Sequence, residues 1–127
     1  KIYFTVDTLK FLVKNGRLSV ARGFLGNLFK LKPLLQVSKE GAIETIEKIR
    51  TSKKAMERLK EKFFEETKDM EIEPFVIYTI DKNLAETLAS EIKARYPYIT
   101  DIPLQPLTPV VGAHAGPGAY AIGYIKK

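Results

Sequence analysis

The chain has 127 residues, 45% of them hydrophobic, and a formal net charge of +6. This length suits one domain with its own core. It contains no cysteine and a single histidine, which excludes disulfides, zinc–cysteine sites and sites built from several histidines. No apolar run approaches the roughly 20 residues of a spanning helix, so we expect a cytoplasmic protein without stable membrane insertion.

Hydrophobic periodicity, capping residues and turn signals predict the elements of the chain. In chain order they are a strand at 2–6, a helix after Asp7 or Thr8, a helix after Ser19, strands at 34–37 and 42–50, a helix from Thr51 or Ser52 to about Thr67, a strand at 74–80, a helix from Asp81 or Asn83 to Tyr96, an extended segment from Ile99 and a strand at 120–125. The first strand follows no turn or tail, which favours a piece of a longer protein.

This order of elements lacks the regular alternation of a doubly wound sheet. It predicts an α/β protein of the α+β type, a single domain over residues 1–127, in which about four helices pack on a mixed, largely antiparallel sheet of about six strands. The extended segment is broken by Pro103, Pro106 and Pro109. We therefore expect an edge strand or an irregular strand here.

The only histidine, His114, lies in a loop rich in glycine. Gly116 and Gly118 permit positive φ, and Pro117 fixes one φ between them, so the backbone bends sharply here. Such a turn presents N–H groups to an anion, and the imidazole beside it suits a carboxylate or a phosphate. The alternative is a structural histidine whose ring hydrogen-bonds a neighbouring carbonyl.

Positive charge occurs at two further places of interest. Arg17 follows Gly16 at the junction of the first two predicted helices, where a guanidinium and free helix N–H groups suit an acidic ligand. The stretch from Lys48 to Lys62 holds seven basic residues and two acidic ones. That stretch indicates a solvated helix face, a docking surface for an acidic partner or, with less support, a nucleic-acid contact.

Motifs of the common enzyme classes are absent from the sequence. There is no GxxxxGK[ST] phosphate loop, no GxGxxG turn and no GxSxG elbow. The adjacent carboxylates Glu65 and Glu66 fall on a helix face that we expect to be solvated. We therefore predict a protein that binds a ligand without catalysis and needs no cofactor or metal.

Several short motifs together resemble the C-terminal domain of the DegV family. They are Asp7-Thr8-Leu9, Gly16-Arg17-Leu18-Ser19, Lys32-Pro33-Leu34-Leu35, Lys48-Ile49-Arg50-Thr51 followed by Lys53-Lys54-Ala55, and Gly112 to Ala119. The resemblance runs over nearly the whole chain, in the right order. It implies a bacterial two-lobed protein that binds a long-chain fatty acid between its lobes, of which this chain is the C-terminal lobe and the N-terminal lobe is absent.

The resemblance also implies roles for individual residues. His114 and Arg17 would hold the fatty acid carboxylate, and Gly116 and Gly118 would shape that end of the pocket. Some members of the family are the fatty-acid-binding subunit of a fatty acid kinase, which phosphorylates the bound carboxylate. The kinase would then dock on the basic surface, which we define as Arg50, Lys53, Lys54 and Arg58.

Two other functions remain open on the sequence. In the first, the basic surface binds nucleic acid or an acidic protein, and the histidine turn is purely structural. In the second, His114 is the general base of a hydrolase whose nucleophile lies on the absent lobe. The fatty acid function implies no nucleic-acid partner, so salt-dependent DNA binding distinguishes the first alternative.

Overall fold

The computed structural model describes residues 1–6, 32–38, 40–79, 81–107 and 118–127. These residues form, in order, β1 (Ile2–Thr5), β2 (Leu34–Val37), β3 (Ile43–Glu47), α1 (Ser52–Thr67), β4 (Ile72–Tyr78), α2 (Lys82–Arg95), β5 (Leu104–Pro106) and β6 (Tyr120–Lys126). The helices predicted after Asp7 or Thr8 and after Ser19 lie outside the described residues.

The described strands form one sheet in the order β3-β2-β1-β6-β4-β5. Every pair of neighbours is antiparallel except β4 and β5, which are parallel. The predicted fold class, a mixed and largely antiparallel sheet with helices packed on it, is confirmed. β2 and β3 form the predicted hairpin, and Gly41 in its turn has a φ of +84°.

One face of the sheet carries the hydrophobic core. Tyr3 of β1 pairs with Ile122 of β6, which in turn pairs with Val76 of β4, so these side chains stand next to each other across the sheet. All three are at most 1% exposed. Apolar residues of both helices complete this core, among them Leu59 and Phe63 of α1 and Leu88 and Ile92 of α2.

Each described helix begins at one of the caps offered by the sequence. The side chain of Thr51 accepts a hydrogen bond from the N–H of Lys54, and that of Asp81 accepts one from the N–H of Leu84. A cap of this kind satisfies one of the free N–H groups of the first turn. α2 ends before Tyr96, where Pro97 follows and disfavours further helix.

The strand boundaries that differ most from the prediction belong to β3 and β4. β3 ends at Glu47 rather than residue 50. β4 begins at Ile72, two residues before the predicted start, and contains Pro74. The N–H of Val76 points to the β5 side, where it binds the carbonyl of Pro103, so the nitrogen of Pro74 faces the same side but beyond the short β5. Proline therefore leaves no ladder hydrogen bond unmade here.

β5 is the edge strand that the prolines predicted. Among the described strands it pairs only with β4, over three residues, and the N–H of Leu107 continues the contact by donating to the carbonyl of Tyr78. The middle of the sheet is formed by β1 and β6. Both of the longer segments outside the described residues, 7–31 and 108–117, connect to these two strands at the same end of the sheet, after β1 and before β6.

Candidate functional site

One end of the sheet brings together the end of β1, the end of β4 and the start of β6. Tyr120 pairs with Thr5 on one side and with Tyr78 on the other. A cavity of about 480 Å³ opens at this end, and the described residues around it include Thr5, Ser52, Lys53, Met56, Gly118 and Tyr120. We call this cavity the sheet-end groove.

The sheet-end groove combines apolar walls with positive charge. Val6, Met56 and Leu84 supply apolar surface. Lys53, Glu57 and Lys60 also border the groove, and the Lys60 ammonium forms an ion pair with Glu91 at 3.1 Å, which leaves Lys53 as the lining cation without an ion pair among the described residues. α1 begins at Ser52, on the groove, and α2 begins two residues before Leu84. Helix N-termini favour negative charge, so the groove suits an acidic group attached to an apolar body.

The last residue of the histidine turn, Gly118, is held firmly at this groove. Its φ is +80°, a value that glycine adopts without strain, as the sequence predicted. The Gly118 N–H donates to Oγ1 of Thr79 at 2.9 Å, and that hydroxyl donates to the carbonyl of Ala119 at 3.3 Å. Thr79 thus fixes the backbone where the chain enters β6.

Three predicted ligand-binding residues, Arg17, His114 and Gly116, lie outside the described residues. The fourth, Gly118, borders the sheet-end groove. The segments that carry Arg17 and His114 join β1 and β6 at the end of the sheet where the groove opens. The roles of these four residues therefore stay predictions.

Sequence reasoning missed Thr79 and Tyr120 at this site. Burial raises the pKa of the Tyr120 phenol, and the negative charge of Asp81 raises it further, so the phenol stays protonated near neutral pH. Thr79 lies near the end of the strand predicted at 74–80, and Tyr120 is the first residue of the strand predicted at 120–125. These positions were the only sign in the sequence that the two residues could contribute to a site. That signal could not show that two strands distant in sequence meet at one groove.

The four residues of the basic surface have two different environments in the structure. Arg50, Lys53 and Lys54 are exposed at and before the start of α1. Arg58 instead binds the Glu47 carboxylate, through Nε at 3.0 Å and Nη2 at 2.6 Å, and its Nη1 binds Glu61. The Arg58 hydrogen bonds hold the pKa of Glu47 below its ordinary value.

Glu65 and Glu66, which we expected to be equally solvated, also have different environments. Glu65 is exposed, whereas Glu66 accepts a hydrogen bond from the Tyr124 hydroxyl at 2.7 Å and lies 3.3 Å from the Lys1 ammonium. Glu66 thus ties α1 to β6 and β1. This contact is structural and lies at the opposite end of α1 from the groove.

Neither a metal centre nor a membrane span emerges from the part of the chain that the structure describes. Within it, no three acidic, histidine or cysteine side chains are grouped as metal ligands would be. Its helices are also too short or too polar to cross a bilayer.

Comparison with known proteins identifies relatives over the full chain. Residues 1–127 match the family model described as uncharacterised protein, DegV family. The DegV domain-containing protein SPs1668 of Streptococcus pyogenes is 38% identical over 127 residues, which are 100% of this chain and 43% of that protein. The chain therefore spans less than half the length of the curated relatives that it matches.

Solved structures share the same fold. A fatty acid binding DegV family protein, SAG1342 of Streptococcus agalactiae, matches with a TM-score of 0.83 and 36% identity, over 99% of this chain and 44% of that one. DegV of Bacillus subtilis, described as a fatty acid binding protein, matches with a TM-score of 0.81 and 36% identity, with the same coverage.

A more distant structure extends the likeness in fold. The fatty acid kinase B3 protein of Streptococcus pneumoniae, loaded with linoleic acid, matches with a TM-score of 0.79 at 23% identity, over 100% of this chain and 44% of that one. The family model, which matches residues 1–127, confirms the family that the sequence motifs indicated. This chain belongs to the DegV family.

Proposed function

We propose that this chain is the C-terminal lobe of a two-lobed protein that binds a long-chain fatty acid and holds its carboxylate at the sheet-end groove. The observation that carries the proposal is the groove itself, because apolar residues, Lys53 and helix starts meet there beside Gly118, where the histidine turn ends. The fatty acid binding named for the Streptococcus agalactiae and Bacillus subtilis relatives supports the choice of ligand.

The apolar and the polar parts of the groove bind different parts of a fatty acid. Each buried CH₂ group contributes about 0.8 kcal/mol, so the acyl chain supplies most of the affinity. The carboxylate is costly to remove from water unless cations and hydrogen-bond donors replace its hydration. Its main role is therefore to orient the ligand, with its charged end at the groove.

In this proposal His114 and Arg17 bind the carboxylate, and Gly116 and Gly118 shape the turn around it. His114 precedes Gly118 by four residues, and four residues span at most about 14 Å. The connection to β6 therefore limits the distance between the imidazole and the groove. An imidazole and a guanidinium both donate hydrogen bonds to a carboxylate, and the guanidinium does so in a planar, two-pronged geometry.

We further propose that the protein presents the acid to a fatty acid kinase and is not itself a catalyst. Arg50, Lys53 and Lys54 are exposed beside the groove and form the docking surface for this partner. Arg58 contributes less positive charge to the surface because Glu47 and Glu61 offset it. The contact of Arg58 with Glu47 instead connects α1 to β3.

The proposal is tested on the complete two-lobed protein. Lipid extraction followed by mass spectrometry should find a long-chain acid bound in the purified protein. Arg17→Ala should lower the affinity for hexadecanoic acid, and Lys127→Ala, far from the groove, should leave it unchanged. If neither a bound acyl chain nor binding of added fatty acids of several lengths is detected, the proposed function is wrong.

A further inference from the structure

Thr5 is a buried polar residue at the border of the sheet-end groove. It is 5% exposed, and it pairs with Leu34 and Tyr120 in the sheet. Thr5 follows Tyr3 by two residues in β1, so the two side chains lie on the same face of the sheet. This is the face on which α1 packs. The Thr5 side chain therefore lies between the sheet and the first turns of α1.

A second buried threonine, Thr67, provides a comparison within the described residues. Its hydroxyl donates to the carbonyl of Phe63 at 2.8 Å and accepts a hydrogen bond from the Tyr96 hydroxyl at 2.7 Å. The Thr5 hydroxyl makes no hydrogen bond to any residue that the structure describes. Buried polar groups are nearly always hydrogen-bonded, so an unpaired hydroxyl beside a cavity calls for a ligand.

The choice of residue at position 5 strengthens this reasoning. Valine has almost the same shape as threonine, suits a strand equally well and carries no hydroxyl that must be removed from water. The core alone therefore gives no reason for threonine here. The same groove is bordered by Lys53 and Glu57, which carry opposite charges, and by Met56 and Leu84, which supply apolar surface.

We infer that the Thr5 hydroxyl donates a hydrogen bond to a carboxylate oxygen of the bound fatty acid. This inference rests on the proposed function, and it adds a binding residue on β1 to those of the histidine turn. Since the hydroxyl makes no hydrogen bond to a described residue, a charge-assisted hydrogen bond to the ligand breaks none of the contacts that the structure describes.

The test uses the complete two-lobed protein, freed of lipid, with hexadecanoic acid as the probe. Thr5→Val should weaken binding about tenfold, since it removes one hydrogen bond to a charged group. Because the lost hydroxyl has no partner among the described residues, the melting temperature of the ligand-free variant should stay the same or rise. Thr5→Ser retains the hydroxyl and should bind within about twofold of the unchanged protein.

Thr67→Val is the matched control, since it removes a buried hydroxyl that is fully paired. It should lower the melting temperature and leave the affinity for hexadecanoic acid unchanged. Unchanged affinity in Thr5→Val would overturn the inference, as would a fall in melting temperature like that of Thr67→Val. If the unchanged protein bound neither hexadecanoic acid nor other long-chain acids, the proposed function itself would be wrong, whatever the behaviour of the Thr5 variants.

Discussion

The ring of Phe75 on β4 lies directly over Gly123 on the neighbouring strand β6. The two residues pair in the antiparallel ladder, and a Cβ atom placed on Gly123 would stand 2.2 Å from the ring atom Cζ of Phe75. The glycine is buried although it has no side chain, because the ring covers its backbone. Glycine at this position is therefore required by packing.

Gly123→Ala should destabilise the protein by about 1–3 kcal/mol, because the added methyl group forces the Phe75 ring out of its position. Gly41→Ala is the matched control: its φ of +84° strains an alanine, but no atom lies within 4 Å of the new methyl group. Chemical denaturation should give a smaller loss for the control, of about 1 kcal/mol. A smaller loss at Gly123 than at Gly41 would contradict this packing.

The ion pair between Glu47 and Arg58 predicts a pH dependence of stability. The pKa of Glu47 is lowered in the folded state, so its contribution is complete above the ordinary glutamate pKa and is lost as the pH falls through the lowered value. Glu47→Gln should remove this part of the acid dependence. The effect should stay below about 1 kcal/mol because both side chains are about a third exposed.

Thermal unfolding at a series of pH values measures this difference. Glu86→Gln, on an exposed position of α2 with no ion pair among the described residues, serves as control and should keep the pH dependence of the unchanged protein. An identical pH profile for Glu47→Gln and Glu86→Gln would show that the ion pair does not contribute.

His114→Ala should impair phosphoryl transfer more than binding. In the proposed function the acyl chain supplies most of the affinity, so the dissociation constant for hexadecanoic acid should rise by about tenfold or less. The rate of acyl phosphate formation with the kinase should fall further, because an unheld carboxylate is no longer oriented for attack. Calorimetry and a single-turnover transfer assay measure the two effects. A large loss of affinity with a normal rate of transfer from the acid that still binds would contradict this role.

Reversing the charges of Arg50 and Lys54 should weaken kinase docking and leave fatty acid binding intact. Arg50 and Lys54 are not among the described residues that line the sheet-end groove. Lys53 does line it and is therefore left unchanged. The double variant Arg50→Glu and Lys54→Glu should lower kinase affinity about tenfold at low salt, mainly through slower association.

Lys82→Glu combined with Lys93→Glu changes the charge by the same amount on exposed positions of α2. This control should bind the kinase almost normally. Equal losses in both double variants would point to net charge rather than a docking surface. DNA binding that falls steeply with salt and disappears on reversal at Arg50 and Lys54 would favour the nucleic-acid alternative.

Much of the fold followed from local patterns in the sequence. Apolar spacing and caps at Thr51 and Asp81 predicted both described helices, since these signals act within a single turn. The boundaries of β3 and β4 were less accurate. The strand at Ile72 continues past Pro74 because its partner β5 is too short to need that N–H, a fact about a residue 30 positions away.

Local patterns in the sequence were enough to predict the family, the sheet with its capped helices, and the concentration of positive charge around α1. The folded structure was needed to show that Arg58 is paired with Glu47, that Thr79 anchors Gly118, and that the Thr5 hydroxyl is buried at a groove without a partner among the described residues. This difference follows from the range of the interactions along the chain. Helices and turns depend on residues close in sequence, whereas pairing and burial depend on which distant residues the folded chain brings together.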